Sequence, residues 1–155
     1  MSSNGLIRRV AIAGCSAFAL FAGVAWEDAV GQSRPPIRNI QVDVAPLRAN
    51  AGDPTASWVE RELPGQLARA LAGRVTPQGG ILVVRVDYVT LGPHKESWAQ
   101  DNISGVAMTA GVQWPVRATT RYQISAVDQP LVQEANHQRV TQLLQALTYW
   151  IARDF

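Results

Sequence analysis

Cysteine and lysine are the scarcest residues of this sequence, with one of each, Cys15 and Lys95. Cys15 lies in an apolar stretch near the N-terminus, and no cysteine follows it. The rest of the chain therefore has no disulfide, thiolate nucleophile or cysteine metal site, and its core alone must stabilise it. Arginine outnumbers lysine thirteen to one. We attribute this bias mainly to a GC-rich genome, and the functional alternative is recognition of anionic sugar or phosphate groups.

The motifs of common enzyme and metal sites are also missing. The sequence contains no HExxH, calcium loop, GxSxG, GxxxxGK[ST] or GxGxxG pattern. His94, close to Glu96, and His137 are the obvious candidates for metal or acid–base chemistry, but a metal site needs three or four ligands. Solvation explains His94, and capping of a helix or exposure explains His137. We predict no catalytic, cofactor-binding or metal-binding residues, and an enzyme is the less favoured class.

A strong excess of positive charge is absent as well. The formal net charge is +2, and it stays at +2 without residues 1–31, because Arg8 and Arg9 offset Glu27 and Asp28. Nucleic-acid-binding domains carry a dense basic patch, whereas the charges here are spread along the chain. We therefore predict that nucleic acid is not a partner.

Residues 1–31 have the three-part pattern of an export signal. A pair of arginines precedes an uncharged apolar run at 10–25, and small residues follow at 29–31. A basic end, an apolar centre and small residues at the cleavage site are typical of a secretory signal peptide. Cleavage after Gly31, or alternatively after Ala25, would remove Cys15 and leave a free domain.

Two other interpretations of this segment remain open. Residues 12–15, Ile-Ala-Gly-Cys, are similar to a bacterial lipobox and would make Cys15 a lipid attachment site. However, only five apolar residues separate the arginines from Cys15, fewer than the roughly 7–15 of a signal centre. The apolar run is also near the roughly 17-residue lower limit of a membrane-spanning helix, so an uncleaved anchor is the third interpretation.

All three interpretations place residues 32–155 outside the cytoplasm of a bacterium. We predict a periplasmic or secreted protein, with a membrane-anchored protein facing the periplasm as the alternative. Any membrane association is expected only through the N-terminal segment.

After a polar linker at 32–36, the pattern predicts a single domain at 37–155. Alternating apolar residues at 37–44 predict a strand that ends near Pro46. The sequence Ala-Asn-Ala-Gly-Asp-Pro at 49–54 predicts a loop. Ser57 and Glu60 match a capping box at the start of a helix, which Pro64 would kink or restart. The apolar face of this helix consists of Val59, Leu63, Leu67, Ala70 and Leu71.

Three further strands are predicted at 81–90, 102–111 and 116–126, with a break at 113–115 and an optional short strand at 131–135. In the first of them, Leu82, Val84, Val86 and Tyr88 share one face. A C-terminal helix is predicted from about residue 137, with an apolar face of Val140, Leu143, Leu144, Leu147 and Ile151. The order predicts an α+β fold, a two-layer sandwich of a mostly antiparallel sheet of four to five strands with two amphipathic helices on one face.

Two groups of side chains are candidates for contact with a partner. Trp98 and Trp114 fall in the predicted loops around the third strand, where they would share one end of the sheet and act as contact anchors or plug the core. Arg117 and Arg121 lie on the solvent-facing side of the fourth predicted strand, and Arg85 of the second predicted strand lies alongside them. If one side of the sheet is uncovered, these arginines are available to a partner rather than only solvated.

The order of elements after an export signal resembles the lipopolysaccharide-assembly lipoprotein family and, more loosely, the N-terminal domain of the Tol translocation protein. The resemblance covers roughly residues 37–155 and transfers no motif or residue. It implies a protein without a catalytic site that binds an outer-membrane partner. We predict a non-enzymatic, exported cell-envelope protein that binds an envelope protein or glycan and needs no cofactor. The alternatives are a small-molecule carrier and a small periplasmic enzyme with a site near the 94–101 loop.

Overall fold

The computed structural model describes residues 35–93, 98–123 and 131–155. The predicted export signal, with Cys15, lies outside these residues. The elements in chain order are β1 (Ile37–Asp43), α1 (Ala45–Ala51), α2 (Thr55–Ala70), a short 3₁₀ turn (Ala72–Arg74), β2 (Gly80–Thr90), β3 (Trp98–Thr109), β4 (Val112–Gln123) and α3 (Val132–Asp154).

The described strands form one sheet in the order β1-β2-β3-β4. β1 is parallel to β2, because the chain crosses over through α1 and α2, and the other two pairs are antiparallel. The helices pack on one side of the sheet, which we call the inner face, and we call the opposite side the outer face. The predicted α+β class, with a mostly antiparallel sheet and helices on one face, is confirmed.

The hydrophobic core lies between the inner face and the apolar faces of the helices. On α3, every residue of the predicted apolar face is buried, and on α2 the buried residues include Val59, Leu63 and Leu67. Ala70, predicted on the same face, is exposed, and α2 runs through Pro64 as one helix. The core residues contributed by the sheet are Ile37, Leu82, Val84, Val86, Ile103, Ala107, Val116 and Ala118.

Three local predictions around the helices are wrong. Residues 49–51, predicted as part of a loop, belong to α1, which has Pro46 in its first turn, where proline's missing N–H removes no helical bond. Ser57 lies inside α2 and forms no capping box, since its hydroxyl donates to Asp53 Oδ1 at 3.3 Å. No short strand forms at 131–135, because α3 already begins at Val132 and buries Ala135 on its inner side.

A β-bulge in β2 overturns the predicted position of Tyr88. The pairing of β2 with β3 shifts register between Val86 and Tyr88, and an extra residue reverses the alternation of faces. Tyr88 is consequently 57% exposed, while Val89 packs against the core. Gly105 pairs with Val86 at this point, and a Cβ there would lie 2.0 Å from the Arg85 carbonyl oxygen. The bulge therefore needs glycine opposite it.

The predicted break at 113–115 is also wrong, because all three residues belong to β4. The β3–β4 turn consists of Ala110 and Gly111, whose φ angles are 46° and 81°. Two residues with positive φ are typical of the two-residue hairpin turns that match strand twist. Pro115 is accommodated because β4 is the last strand of the described sheet, and an edge strand tolerates a missing N–H.

Candidate functional site

No described helix packs on the outer face of the sheet, so its side chains form an open surface. Strict alternation in β3 and β4 decides which residues point there, since every second residue between Ala99 and Thr109 is buried on the inner side. The outer face consists of Gln41, Asp43, Ile81, Val83, Arg85, Tyr88, Trp98, Gln100, Asn102, Ser104, Val106, Met108, Gln113, Pro115, Arg117, Thr119, Arg121 and Gln123.

The three arginines predicted from the sequence all lie on this face. Arg117 pairs with Ser104 and Arg121 pairs with Gln100 across β3 and β4. Arg117 and Arg121 are four residues apart on β4, which corresponds to about 13 Å along the strand. One cross-strand row, a pair of facing residues, lies between them on the outer face. That row holds Asn102 and Thr119, and the Thr119 hydroxyl donates to Asn102 Oδ1 at 2.9 Å.

The charge of the outer face is uneven. Arg85 Nε donates to Asp87 Oδ1 at 2.8 Å, and this hydrogen bond raises the pKa of Arg85 above its usual value, with a smaller contribution from Asp43. Among the described residues, Arg117 and Arg121 have no ion-pair partner. The β4 side of the face is therefore positive, while acidic groups neutralise the arginine on the β2 side.

The centre of the outer face is apolar. Val83 pairs with Met108 on the neighbouring strand, Val106 lies one row away, and all three are half-buried. Tyr88, which pairs with Ser104 two residues before Val106, is 57% exposed, whereas Trp98 is 56% exposed at the far end of β3, eight residues from Val106. An apolar centre with aromatic side chains and arginines at its rim is typical of a protein–protein interface.

The two predicted tryptophans do not share one end of the sheet. Trp98 pairs with Gln123 at the start of β3, whereas Trp114 pairs with Ala107 near the end of β3. Trp98 points outward and lines an open groove of about 440 Å³ with Gln100 and Arg121. Trp114 belongs to the inner side and stacks on Phe155 with 5.1 Å between ring centroids. Trp98 alone belongs to the candidate surface.

A buried ion pair, which sequence analysis missed, fixes α3 to the sheet. Asp101 and Arg139 are fully buried. Arg139 Nε donates to Asp101 Oδ2 at 2.8 Å, and its Nη2 donates to the Gly92 carbonyl at 2.9 Å. The Gly92 amide in turn donates to Asp101 Oδ1 at 2.9 Å. One signal was available, because Asp101 alternates with Ala99 and Ile103 on the inner face of β3.

His137 connects two helices and does not cap one. Its Nε2 contacts Glu62 Oε1, and its ring stacks on Trp58 with 4.9 Å between centroids. Thr141 donates to the other Glu62 oxygen at 2.9 Å. In the described part of the chain, no group of three or more His, Cys, Asp and Glu side chains could hold a metal ion. His94, Lys95 and Glu96 lie outside that part.

A second groove, of about 830 Å³, lies on the helical side of the domain between α2 and α3. Its walls include Arg61 and Arg69 from α2, and Thr148 and Tyr149 from α3. Nothing in the sequence analysis pointed to this groove, because it depends on how the two helices pair. Within the described ranges, none of the helices combines the length and the hydropathy that crossing a membrane requires.

Comparison with known proteins bears on the fold. No family model matches the chain, and no curated protein matches its sequence. A minor lipoprotein from Acinetobacter baumannii is similar in structure, with 15% identity and a TM-score of 0.46 over 77% of this chain and 90% of that chain. Rare lipoprotein B from Shewanella oneidensis is 7% identical, with a TM-score of 0.49 over 76% of this chain and 92% of that chain. Both are bacterial lipoproteins, as the layout of the sequence suggested, and at these identities and TM-scores the likeness transfers neither a family nor a residue role.

Proposed function

We propose that this protein is a non-enzymatic, exported protein of the bacterial cell envelope that binds a partner protein through the outer face of its sheet. Export is supported by residues 1–31, whose basic end, apolar centre and small residues match a signal peptide. Binding is supported by the composition of the outer face.

The observation that carries this proposal is the apolar centre of the outer face. Val83, Val106 and Met108 form a continuous patch on the side of the sheet that no described helix covers. A face that is only solvated usually alternates cleanly to polar residues, as β4 does with Arg117 and Thr119. Apolar side chains in the middle of such a face gain free energy when a second surface removes them from water.

A glycan is the second candidate partner, and one observation favours it. The Trp98 indole forms a groove with Gln100 and Arg121. An exposed indole can stack on the apolar face of a sugar ring, and planar amide and guanidinium groups can donate hydrogen bonds to hydroxyl or anionic groups. The groove covers only one corner of the outer face, and so a glycan would leave the apolar centre in water.

Intact mass and fractionation of the protein from its native host test the compartment. A mass that corresponds to residues 32–155 in the soluble periplasmic fraction is expected if the signal is cleaved and Cys15 is lost. A mass that corresponds to residues 15–155 plus acyl chains on Cys15, in the membrane fraction, would show that the protein is a lipoprotein and not a free domain. The full-length mass in the cytoplasm would contradict export in any form.

Photo-crosslinking in the native host tests the surface. A photoreactive residue replaces Asn102, which lies on the outer face in the row between Arg117 and Arg121, and a matched one replaces exposed Ala68 on α2. We expect a discrete adduct from position 102 that a protease degrades, and a different pattern or none from position 68. An adduct at position 102 that resists protease but is cleaved by periodate would assign the face to a glycan. Identical adducts from both positions would contradict a specific surface.

A further inference from the structure

The groove between α2 and α3 has features that the outer face and its proposed partner do not explain. We propose that it is a second docking site, which takes an acidic α-helix from a partner protein. The site lies on the helical side of the domain, opposite the outer face, and does not depend on the function proposed for that face.

The geometry of the groove fits a helix. α2 and α3 run parallel, since Glu62 lies beside Thr141 at one end, and Ala70 and Ala152 line the same groove at the other. Between these ends lie about eight residues of α2, or about 12 Å, which matches two to three turns of a docked helix. The small side chains of Gly65, Ala70 and Ala152 line the groove, and a Cβ on Gly65 would meet no atom within 4 Å. A third helix can therefore approach closely.

Two residues that line the groove each have a buried oxygen without a hydrogen-bond partner. Thr148 is 7% exposed, and its Oγ1 has no hydrogen-bond partner; the buried Gln66 Oε1 has none either. A buried, unpaired hydroxyl or amide oxygen costs free energy unless another group supplies the missing hydrogen bond. The two side chains belong to facing helices and line one groove, but both oxygens are shielded from solvent in the free protein. A donor on a docked helix would reach them once the two side chains rotate toward the groove.

The charge of the groove decides which helix fits. Arg61 and Arg69 lie on one side of α2, and neither has an ion-pair partner among the described residues. Glu62 is the acidic residue of the lining, but its oxygens already contact His137 and accept from Thr141. A partner helix with carboxylates seven or eight residues apart would place one near each arginine, because this spacing corresponds to about 12 Å. This is the helix-in-groove mode of recognition with acidic anchors.

Selection from a displayed library of helical 15-residue peptides tests the proposal, with the protein purified from the envelope of its host as bait. We expect enriched peptides to carry Glu or Asp seven or eight positions apart, with a Ser, Thr or Asn between them. The best peptide should lose about tenfold in affinity for the R61E/R69E double variant, as expected for two exposed ion pairs. The R117E/R121E double variant, with the same change of charge on the outer face, should bind it unchanged.

Thr148→Val provides the second measurement. Removal of an unpaired buried hydroxyl should leave the free protein at least as stable, while peptide affinity falls about fivefold through the lost hydrogen bond. If Thr148 had only a structural role, the substitution would not lower peptide affinity while leaving the stability of the free protein unchanged. The proposal is overturned if no helix is enriched, if enriched helices lack the acidic spacing, or if R61E/R69E binds them normally. A uronate oligosaccharide that binds through Arg61 and Arg69 when no helix does would assign the groove to a saccharide and equally overturn it.

Discussion

The two faces of the sheet are built from the same strands, yet their side chains differ in character. The inner face is lined mainly by aliphatic residues that the helices bury, and its buried carboxylate, Asp101, is paired with Arg139 of α3. The outer face combines half-buried Val83, Val106 and Met108 with exposed Trp98 and two arginines, Arg117 and Arg121, that have no ion-pair partner among the described residues. The inner face supplies most of the buried core, so the outer face is the side of the sheet that remains available to the proposed partner.

The largest difference between the faces should appear at charged residues. Arg139→Met leaves Asp101 buried without its partner and should lower the free energy of unfolding by about 3–5 kcal/mol. Adding Asp101→Leu should restore part of this loss, since it removes the unpaired buried charge but leaves the Gly92 amide and carbonyl without their partners. Arg117→Met on the outer face is the control and should change stability by less than about 0.5 kcal/mol. Urea unfolding measures all three, and an R139M loss below that of the control would show that water solvates Asp101.

The two tryptophans, one on each face of the sheet, test the difference between the faces with a large aromatic side chain. Trp114 packs against the core and stacks on Phe155, so Trp114→Ala should cost about 3 kcal/mol. Trp98→Ala should cost less than about 0.5 kcal/mol, because the side chain is 56% exposed. Thermal unfolding compares them directly. Equal losses would mean that Trp98 is held in a packed environment and does not serve as a contact anchor.

Neighbouring valines on β2 provide the most closely matched pair. Val84 is fully buried on the inner face, and Val83 is half-buried on the outer face. Loss of two methyl groups should cost about 2 kcal/mol at Val84, including the cavity that remains, and less than about 1 kcal/mol at Val83. If Val83→Ala proved as costly in the free protein, the outer face would already be covered, and the proposed surface would not be available.

Sequence patterning predicted the sheet, its arginines and the α3 face because each depends on alternation or helical spacing within one element. The errors share a physical origin in contacts between elements. Tyr88 changed faces because a bulge forms against Gly105 on the neighbouring strand, and a single strand's pattern does not contain its partner's register. The α2/α3 groove and the contact of His137 with Glu62 join residues 75 or more positions apart. Spacing along the chain carries no information about such pairs.

The smallest effect on stability should accompany the largest effect on binding. The R117E/R121E double variant should change the free energy of unfolding by less than about 0.5 kcal/mol, since both arginines are exposed and unpaired in the described residues. The same variant should abolish the crosslink from position 102, because reversed charges at the rim repel a complementary partner. The R61E/R69E variant changes the net charge equally and should retain that crosslink. Loss of the crosslink in both variants would show that net charge, and not the outer face, attracts the partner.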